Sequence, residues 1–161
     1  MRYADRLDAH EIFFGATIDQ LTLPHGAIEN SEKILRELNE SGYSAALSKL
    51  REHKGLALLA EVSLPSCLQL ADCARLALES QGHDLGYDKC LPRSFAITCS
   101  LWQAGVAVTL KIGVTRFASH PDSEFHAWTE YRGTPIGAYR ETRDVFELID
   151  CITYDDPQRT A

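Results

Sequence analysis

Two residues of this 161-residue sequence have types and positions suited to nucleophilic catalysis, Cys90 and His126. Cys90 lies at the predicted start of a helix, where the helix dipole and unsatisfied N–H groups stabilise a thiolate. Lys89 and Arg93 add positive charge nearby. His126 lies in a predicted strand, and an imidazole beside the sulfur would act as base and proton shuttle. The pair predicts thiol chemistry; the alternative is that Cys90 is a small buried hydrophobe and His126 a packed strand residue.

The elements that must position this pair occupy the second half of the chain. A helix is predicted to begin at Cys90, with Pro92 in its first turn and Gly105 as its stop signal. Helical spacing relates four of its residues: Leu91, Phe95, Thr98 and Trp102. Strands are predicted over residues 106–114, 124–131 and 135–139, the last two joined by a turn at Arg132, Gly133 and Thr134. A helix followed by an antiparallel sheet predicts an α+β fold class.

The first part of the chain predicts a small strand-strand-helix unit. Residues 10–24 mix β-branched and aromatic residues with turn formers. A helix capped by Asn30 or Ser31 follows. The later helix boundaries are predicted from turn formers and capping residues, at Gly42, Ser44, Ser63 with Pro65, and Gly82. We therefore divide the chain into an N-terminal appendage over residues 1–60 and a main domain over residues 61–161.

The composition favours a folded protein of the cytoplasm and disfavours several kinds of partner. There are 16 Lys+Arg against 23 Asp+Glu, a net charge of −7, and 45% of the residues are hydrophobic. Net negative charge opposes binding to nucleic acid and to anionic membranes. We expect neither a membrane-spanning segment nor a signal peptide. The five cysteines include no CxxC pair and are expected to be thiols, and the six histidines lack metal-ligand spacing.

Three blocks of sequence carry a resemblance to a known family. In order along the chain they are Lys89-Cys90-Leu91-Pro92-Arg93-Ser94, Leu110-Lys111-Ile112-Gly113-Val114 and His126-Ala127-Trp128-Thr129-Glu130. Together they closely resemble the lasso-peptide maturation protease, the B protein of those pathways, a leader peptidase of the transglutaminase-like cysteine peptidase superfamily. The resemblance covers about residues 64–149. It implies a transglutaminase-like or papain-like core, in which a helix bears the cysteine and an antiparallel sheet bears the histidine.

The resemblance also implies roles and partners. Cys90 would be the nucleophile and His126 the general base in removing the leader peptide from a lasso-peptide precursor before macrolactam ring closure. The implied partner is an asparagine-synthetase-like lasso cyclase that uses ATP. This chain has no Gly-rich Lys-Ser/Thr loop, so we expect no directly bound cofactor and ATP acting only through the cyclase. The appendage over residues 1–60 resembles a shortened leader-binding element; the alternative is a packing unit without peptide affinity.

The chain departs from the family pattern at the third catalytic position. The family usually has an Asp there to orient the imidazole, and Ala138 stands at the matching place. Glu130 is a poor substitute, because four residues along a strand place it ~13 Å from His126. Glu141 and Asp144 lie nearer to the strand that would pair with the His126 strand. Each could be the orienting acid or, equally, a solvent-exposed charge. The nearby aromatic residues are expected to be core rather than pocket: Trp102, Phe125 and Trp128.

Two alternatives to a leader peptidase stay open on the sequence. One is a transglutaminase-like amidase or acyltransferase acting on another amide. The other is a catalytically silent peptide-binding module, because Ala138 removes the usual acid. Selective labelling of Cys90 by a thiol-directed probe would favour an enzyme, and equal labelling of all five cysteines would favour the binding module.

Overall fold

The computed structural model describes residues 23–53, 62–86, 88–115, 125–137 and 146–154. Within these ranges the chain forms four helices followed by a four-stranded antiparallel sheet. The helices are α1 (Ala27–Ser41), α2 (Tyr43–Glu52), α3 (Leu64–Ser80) and α4 (Cys90–Gln103). The strands are β1 (Thr109–Thr115), β2 (Phe125–Tyr131), β3 (Thr134–Ile136) and β4 (Phe146–Ile152). The predicted α+β fold class is confirmed.

The sheet has the strand order β3-β2-β1-β4. On the central strand β1, Gly113 pairs with His126 of β2 on one side and with Leu148 of β4 on the other. The pairing of β1 with β4 shifts next to Gly113, which leaves Ile149 as the extra residue of a β-bulge. Bulges re-aim side chains locally, and this one lies beside the candidate site described below.

Helix α4 is buried between the other helices and the sheet. Every residue of α4 from 93 to 102 is buried, as expected of a helix enclosed on all sides. Toward the sheet, the Thr98 hydroxyl forms a 3.0 Å hydrogen bond with that of Thr129 on β2. Toward α1, the Ser100 hydroxyl forms a 2.8 Å hydrogen bond with that of Ser31. Contacts on both sides therefore hold α4 in place, and with it the residue at its N-terminus.

Helices α1 and α2 share a hydrophobic core with α4 and the sheet. Ile34 of α1 and Leu50 of α2 are fully buried and belong to the cluster that also contains Phe95 and Leu110. A 3.0 Å hydrogen bond from the Asn30 amide to the Gln103 side chain adds a polar contact between α1 and α4. These two helices therefore help to position α4. The division of the chain at residue 60 stays a prediction.

The predicted helices are present, with differences at their ends. The expected start of α1 at Asn30 or Ser31 is wrong: α1 begins after Gly26, which is left-handed with φ 87°. The reason is that Ser31 is buried and bonds α4, so its hydroxyl does not serve as a cap. Ser63 caps α3 as predicted, accepting a hydrogen bond from the N–H of Ser66. Among the described residues, no helix is both long and apolar enough to cross a bilayer.

The strands agree less well with the sequence prediction. β1 begins at Thr109 rather than at residue 106, and β3 is shorter than expected. β4 is not predicted by the sequence at all, although it flanks the central strand. The strand pair expected over residues 10–24 lies outside the described residues up to residue 22, and no strand is found at 23–24.

Candidate active site

Cys90 is the first residue of α4, as the sequence predicts. Pro92 has no N–H, and the N–H of Arg93 bonds the carbonyl of Lys89. The remaining backbone donors of the first turn are therefore the N–H groups of Cys90 and Leu91. The Cys90 residue is partly exposed. A partly exposed cysteine at a helix N-terminus has the setting of a reactive thiol.

The guanidinium of Arg93 anchors the loop that leads into α4. Arg93 is only 2% exposed, and it donates hydrogen bonds to the backbone carbonyls of Leu85 and Gly86. The sequence identifies Arg93 only as a positive charge near Cys90. Its hydrogen bonds show that it also stabilises the loop that precedes Cys90.

His126 of β2 packs against two aromatic rings, those of Trp128 on β2 and Phe146 on β4. Its ring centroid is 4.8 Å from that of Phe146 and 5.8 Å from that of Trp128, with interplanar angles of 27° and 20°. Gly113 makes room for the stack, since a Cβ at this position would lie 3.0 Å from Phe146 Cβ and 3.1 Å from Trp128 Cζ3. His126 itself is 9% exposed. The two neighbouring rings therefore restrict the plane of the imidazole.

Cys90 and His126 line the same cavity, which has a volume of about 420 Å³. α4 contributes Cys90, β2 contributes His126, and residues from α2, β1 and β4 complete the walls. The other lining residues are Tyr43, Leu91, Ile112, Phe125, Ala127, Ile149 and Asp150. The structure thus brings the two predicted site residues to one space large enough for a substrate side chain. Their catalytic roles stay predictions.

Residues 36–150, more than half of the chain, match the sequence profile of the Transglutaminase-like superfamily. The chain belongs to this superfamily. Transglutaminase-like folds commonly carry a cysteine-based enzyme site, and the matched range includes Cys90 and His126. Neither a curated protein nor a solved structure matches the chain.

This transglutaminase-like domain has an acid in the cavity that the sequence does not predict, Asp150 of β4. Its Oδ2 accepts a 2.7 Å hydrogen bond from the Tyr43 hydroxyl, and its Oδ1 accepts a 2.8 Å hydrogen bond from the N–H of Cys151. Burial and, next, the hydrogen bond to Asp150 raise the pKa of Tyr43 well above its ordinary value. Tyr43 therefore stays protonated and donating. Five of the seven residues from 146 to 152 are apolar, and this pattern was the available sequence signal for the strand that carries Asp150.

Glu130 supports the stack around His126 from the side of Trp128. It is 3% exposed, accepts a 2.9 Å hydrogen bond from the Trp128 indole N–H and forms a 2.6 Å ion pair with Lys111. A buried carboxylate needs such partners to offset its lost hydration. The other residues considered for the third catalytic position lie outside the described residues: Ala138, Glu141 and Asp144.

The expected core role of the three aromatic residues is right for two of them. Trp102 is fully buried, and its indole N–H donates to the Val108 carbonyl at 2.9 Å. Trp128 is 4% exposed, packed against His126. Phe125 is 67% exposed and lines the cavity, so its assignment to the core is wrong. The reason is that Phe125 is the first residue of β2, where the strand begins and its side chain is less enclosed by neighbours.

All five cysteines are free thiols, as the sequence predicts. Burial raises the pKa of Cys67 to about 12 and that of Cys99 to about 11. The pKa of Cys73 is also raised, by burial and by the charge of Asp72. Because the thiolate is the nucleophilic form, these three thiols are poorly suited to catalysis. Cys151 is exposed on β4 and is not among the residues that line the cavity.

Proposed function

We propose that the chain is a cysteine peptidase that removes the leader peptide from a lasso-peptide precursor before macrolactam ring closure. The observation that carries this proposal is that Cys90, at the start of α4, and His126 line one cavity in a transglutaminase-like domain. The three sequence blocks that resemble lasso-peptide maturation proteases support the choice of substrate. They include both proposed catalytic residues.

In the proposed mechanism, the Cys90 sulfur attacks the carbonyl carbon of the scissile amide. His126 accepts the thiol proton and then passes it to the leaving amine, which departs as the C–N bond breaks. The backbone N–H groups of Cys90 and Leu91 would donate to the oxyanion formed during the attack. Water, deprotonated by His126, then attacks the acyl carbon. The C–S bond breaks, the leader leaves as a carboxylic acid, and His126 returns the proton to the Cys90 sulfur.

The aromatic stack would support His126 in this cycle. An imidazole must keep its orientation while it gains and loses a proton, and a neighbouring Asp usually provides this in such sites. Here the rings of Trp128 and Phe146 lie next to the imidazole, with centroids within the ~6 Å at which a cation interacts with an aromatic face. Such contacts would stabilise the protonated imidazole of His126 by about 0.5–2 kcal/mol.

The proposed peptidase would act with two partners in the cytoplasm. The precursor leader would be the recognised segment, and residues 1–60 would contribute to its binding. An asparagine-synthetase-like lasso cyclase would take the product, with ATP used by the cyclase. We propose a cytoplasmic setting, in keeping with the free thiols.

Cleavage of the precursor by the purified chain tests this proposal. The purified chain is incubated with a lasso-peptide precursor, with and without the cyclase and ATP, and the products are identified by mass spectrometry. Cys90→Ala should abolish cleavage and retain the fold, because it removes the nucleophile and little buried area. Cys151→Ala is the matched control and should retain activity. Cleavage by Cys90→Ala above about a tenth of the wild-type rate would contradict the proposal.

The same products separate the two alternatives. Hydrolysis gives a free leader acid, whereas an acyltransferase gives a leader joined to an added amine. A silent binding module leaves the precursor intact while still binding it. Only the first result supports a peptidase.

A further inference from the structure

The cavity beside Cys90 has an acidic part that the proposed mechanism does not use. Among the described residues that line the cavity, Asp150 is the only acid, and Tyr43 beside it donates a hydrogen bond to the carboxylate. Tyr43 remains neutral because burial and Asp150 raise its pKa. The Tyr43–Asp150 pair therefore brings one negative charge to the cavity wall.

The Asp150 carboxylate retains capacity to bind a further donor. A carboxylate accepts about four hydrogen bonds. The structure gives Asp150 two, from the Tyr43 hydroxyl and from the N–H of Cys151. Both bonds also hold the carboxylate in one orientation. A charged donor entering the cavity would meet an acceptor that is already in place.

The mouth of the cavity is apolar. Phe125 is 67% exposed and Ile149 is 53% exposed, and both line the cavity. With Leu148, they are the large hydrophobic side chains that are exposed in the described part of the chain. Ile149 is the extra residue of the β-bulge, and it lines the cavity together with the next residue of β4, Asp150. Exposed apolar side chains at the opening of a cavity favour a ligand that has an apolar part.

We infer that this cavity binds a substrate group carrying a positive charge on an apolar stem, with Asp150 selecting the charge. This rests on the proposed function, because the cavity is the proposed peptidase site, and it adds a substrate class to it. A lysine or arginine side chain has this chemistry, with methylene groups along Phe125 and Ile149 and its head on Asp150. A chain-terminal ammonium group carries the same charge on a much shorter stem.

The alkylation rate of Cys90 by matched probes tests this inference. The protein is the full chain with Cys151→Ser, which removes the exposed thiol on β4. The probes are iodoacetamides whose nitrogen carries an aminopentyl, pentyl, aminoethyl or ethyl group. In each reaction the Cys90 sulfur forms a bond to carbon, the C–I bond breaks, iodide leaves and the thiol proton passes to buffer. Modification is located by peptide mass mapping, and each rate is divided by that of glutathione with the same probe.

The aminopentyl probe should alkylate Cys90 about tenfold faster than the pentyl probe, the size expected of one charge-assisted hydrogen bond. Asp150→Asn keeps the shape of the side chain and should reduce this ratio to near one. Glu147→Gln is the matched control, since it removes an acid from β4 that does not line the cavity. It should leave the ratio unchanged.

Equal rates for the charged and neutral probes in the Cys151→Ser protein would overturn the inference. A preference that survives Asp150→Asn, or that is lost equally in Glu147→Gln, would overturn the role of Asp150. A larger charge preference with the aminoethyl pair than with the aminopentyl pair would identify a chain-terminal ammonium as the source of the charge. Because alkylation needs no peptide cleavage, a preserved preference without precursor cleavage would contradict the leader-peptidase proposal alone.

Discussion

The imidazole of His126 and the phenyl ring of Phe146 lie nearly parallel, with centroids 4.8 Å apart and an interplanar angle of 27°. The two residues come from β2 and β4, which lie on opposite sides of β1. The contact across the central strand is possible because the intervening residue of β1 is Gly113, which has no side chain to separate the rings. The position of the candidate base thus depends on a strand late in the chain.

Replacing Phe146 with Leu should slow turnover more than it weakens substrate binding. The variant keeps an apolar side chain but removes the aromatic face beside the imidazole, so kcat should fall about threefold to tenfold with little change in KM. Steady-state kinetics of precursor cleavage measure both constants. Phe125→Leu is the control, since Phe125 lines the open cavity and its loss should act mainly on KM. A rise in KM with unchanged kcat in Phe146→Leu would contradict a positioning role.

The helix that carries Cys90 could be predicted from the sequence because its signals are local. Pro92 in the first turn and Gly105 after the last turn mark its two ends, and residues at helical spacing connect them. Ser63 marks the start of α3 in the same way. Capping and periodicity act over a few residues, and a single sequence displays them directly.

The Tyr43–Asp150 pair and the Phe146 contact could not be predicted, because they depend on the pairing of distant segments. β4 has an extra residue at Ile149, and this bulge interrupts the alternation by which strands are identified. Tyr43 and Asp150 are 107 positions apart in the sequence. Nothing local to either residue indicates the other, so this part of the cavity becomes apparent only when β4 is placed beside β1.

Replacing Arg93 with Met should destabilise the whole chain. The side chain volume is largely kept, but the carbonyls of the buried Leu85 and the partly buried Gly86 lose their donor, which should cost about 2–4 kcal/mol of the free energy of unfolding. Urea denaturation followed by circular dichroism measures the change. Arg51→Met is the control, since Arg51 is exposed on α2 and its replacement should cost less than about 0.5 kcal/mol. Equal stability of the two variants would show that Arg93 does not anchor the loop.

Alkaline pH should destabilise the fold partly through Tyr43. Burial, followed by the hydrogen bond to Asp150, raises the pKa of Tyr43 above its ordinary value of 10.0. The folded chain therefore keeps a proton that the unfolded chain releases near pH 10. This contribution to the free energy of unfolding is complete below pH 10 and is lost as the pH rises toward the raised pKa. Tyr43→Phe removes the titration and should flatten this part of the pH dependence.

Two buried thiols also lower the stability of the fold at alkaline pH, and their effect must be distinguished from that of Tyr43. The ordinary thiol pKa of 9.0 is raised to about 12 for Cys67 and about 11 for Cys99, so wild type and Tyr43→Phe both lose stability above pH 9. The informative quantity is the difference between the two proteins, measured by urea unfolding at several pH values from about 8 to about 11. Tyr43→Phe lacks the hydrogen bond to Asp150, so it should be less stable than wild type near pH 8. The difference in free energy of unfolding between the two proteins should become smaller above pH 10. A gap that stays constant over the whole range would show that Tyr43 has the same pKa in the folded and unfolded chains.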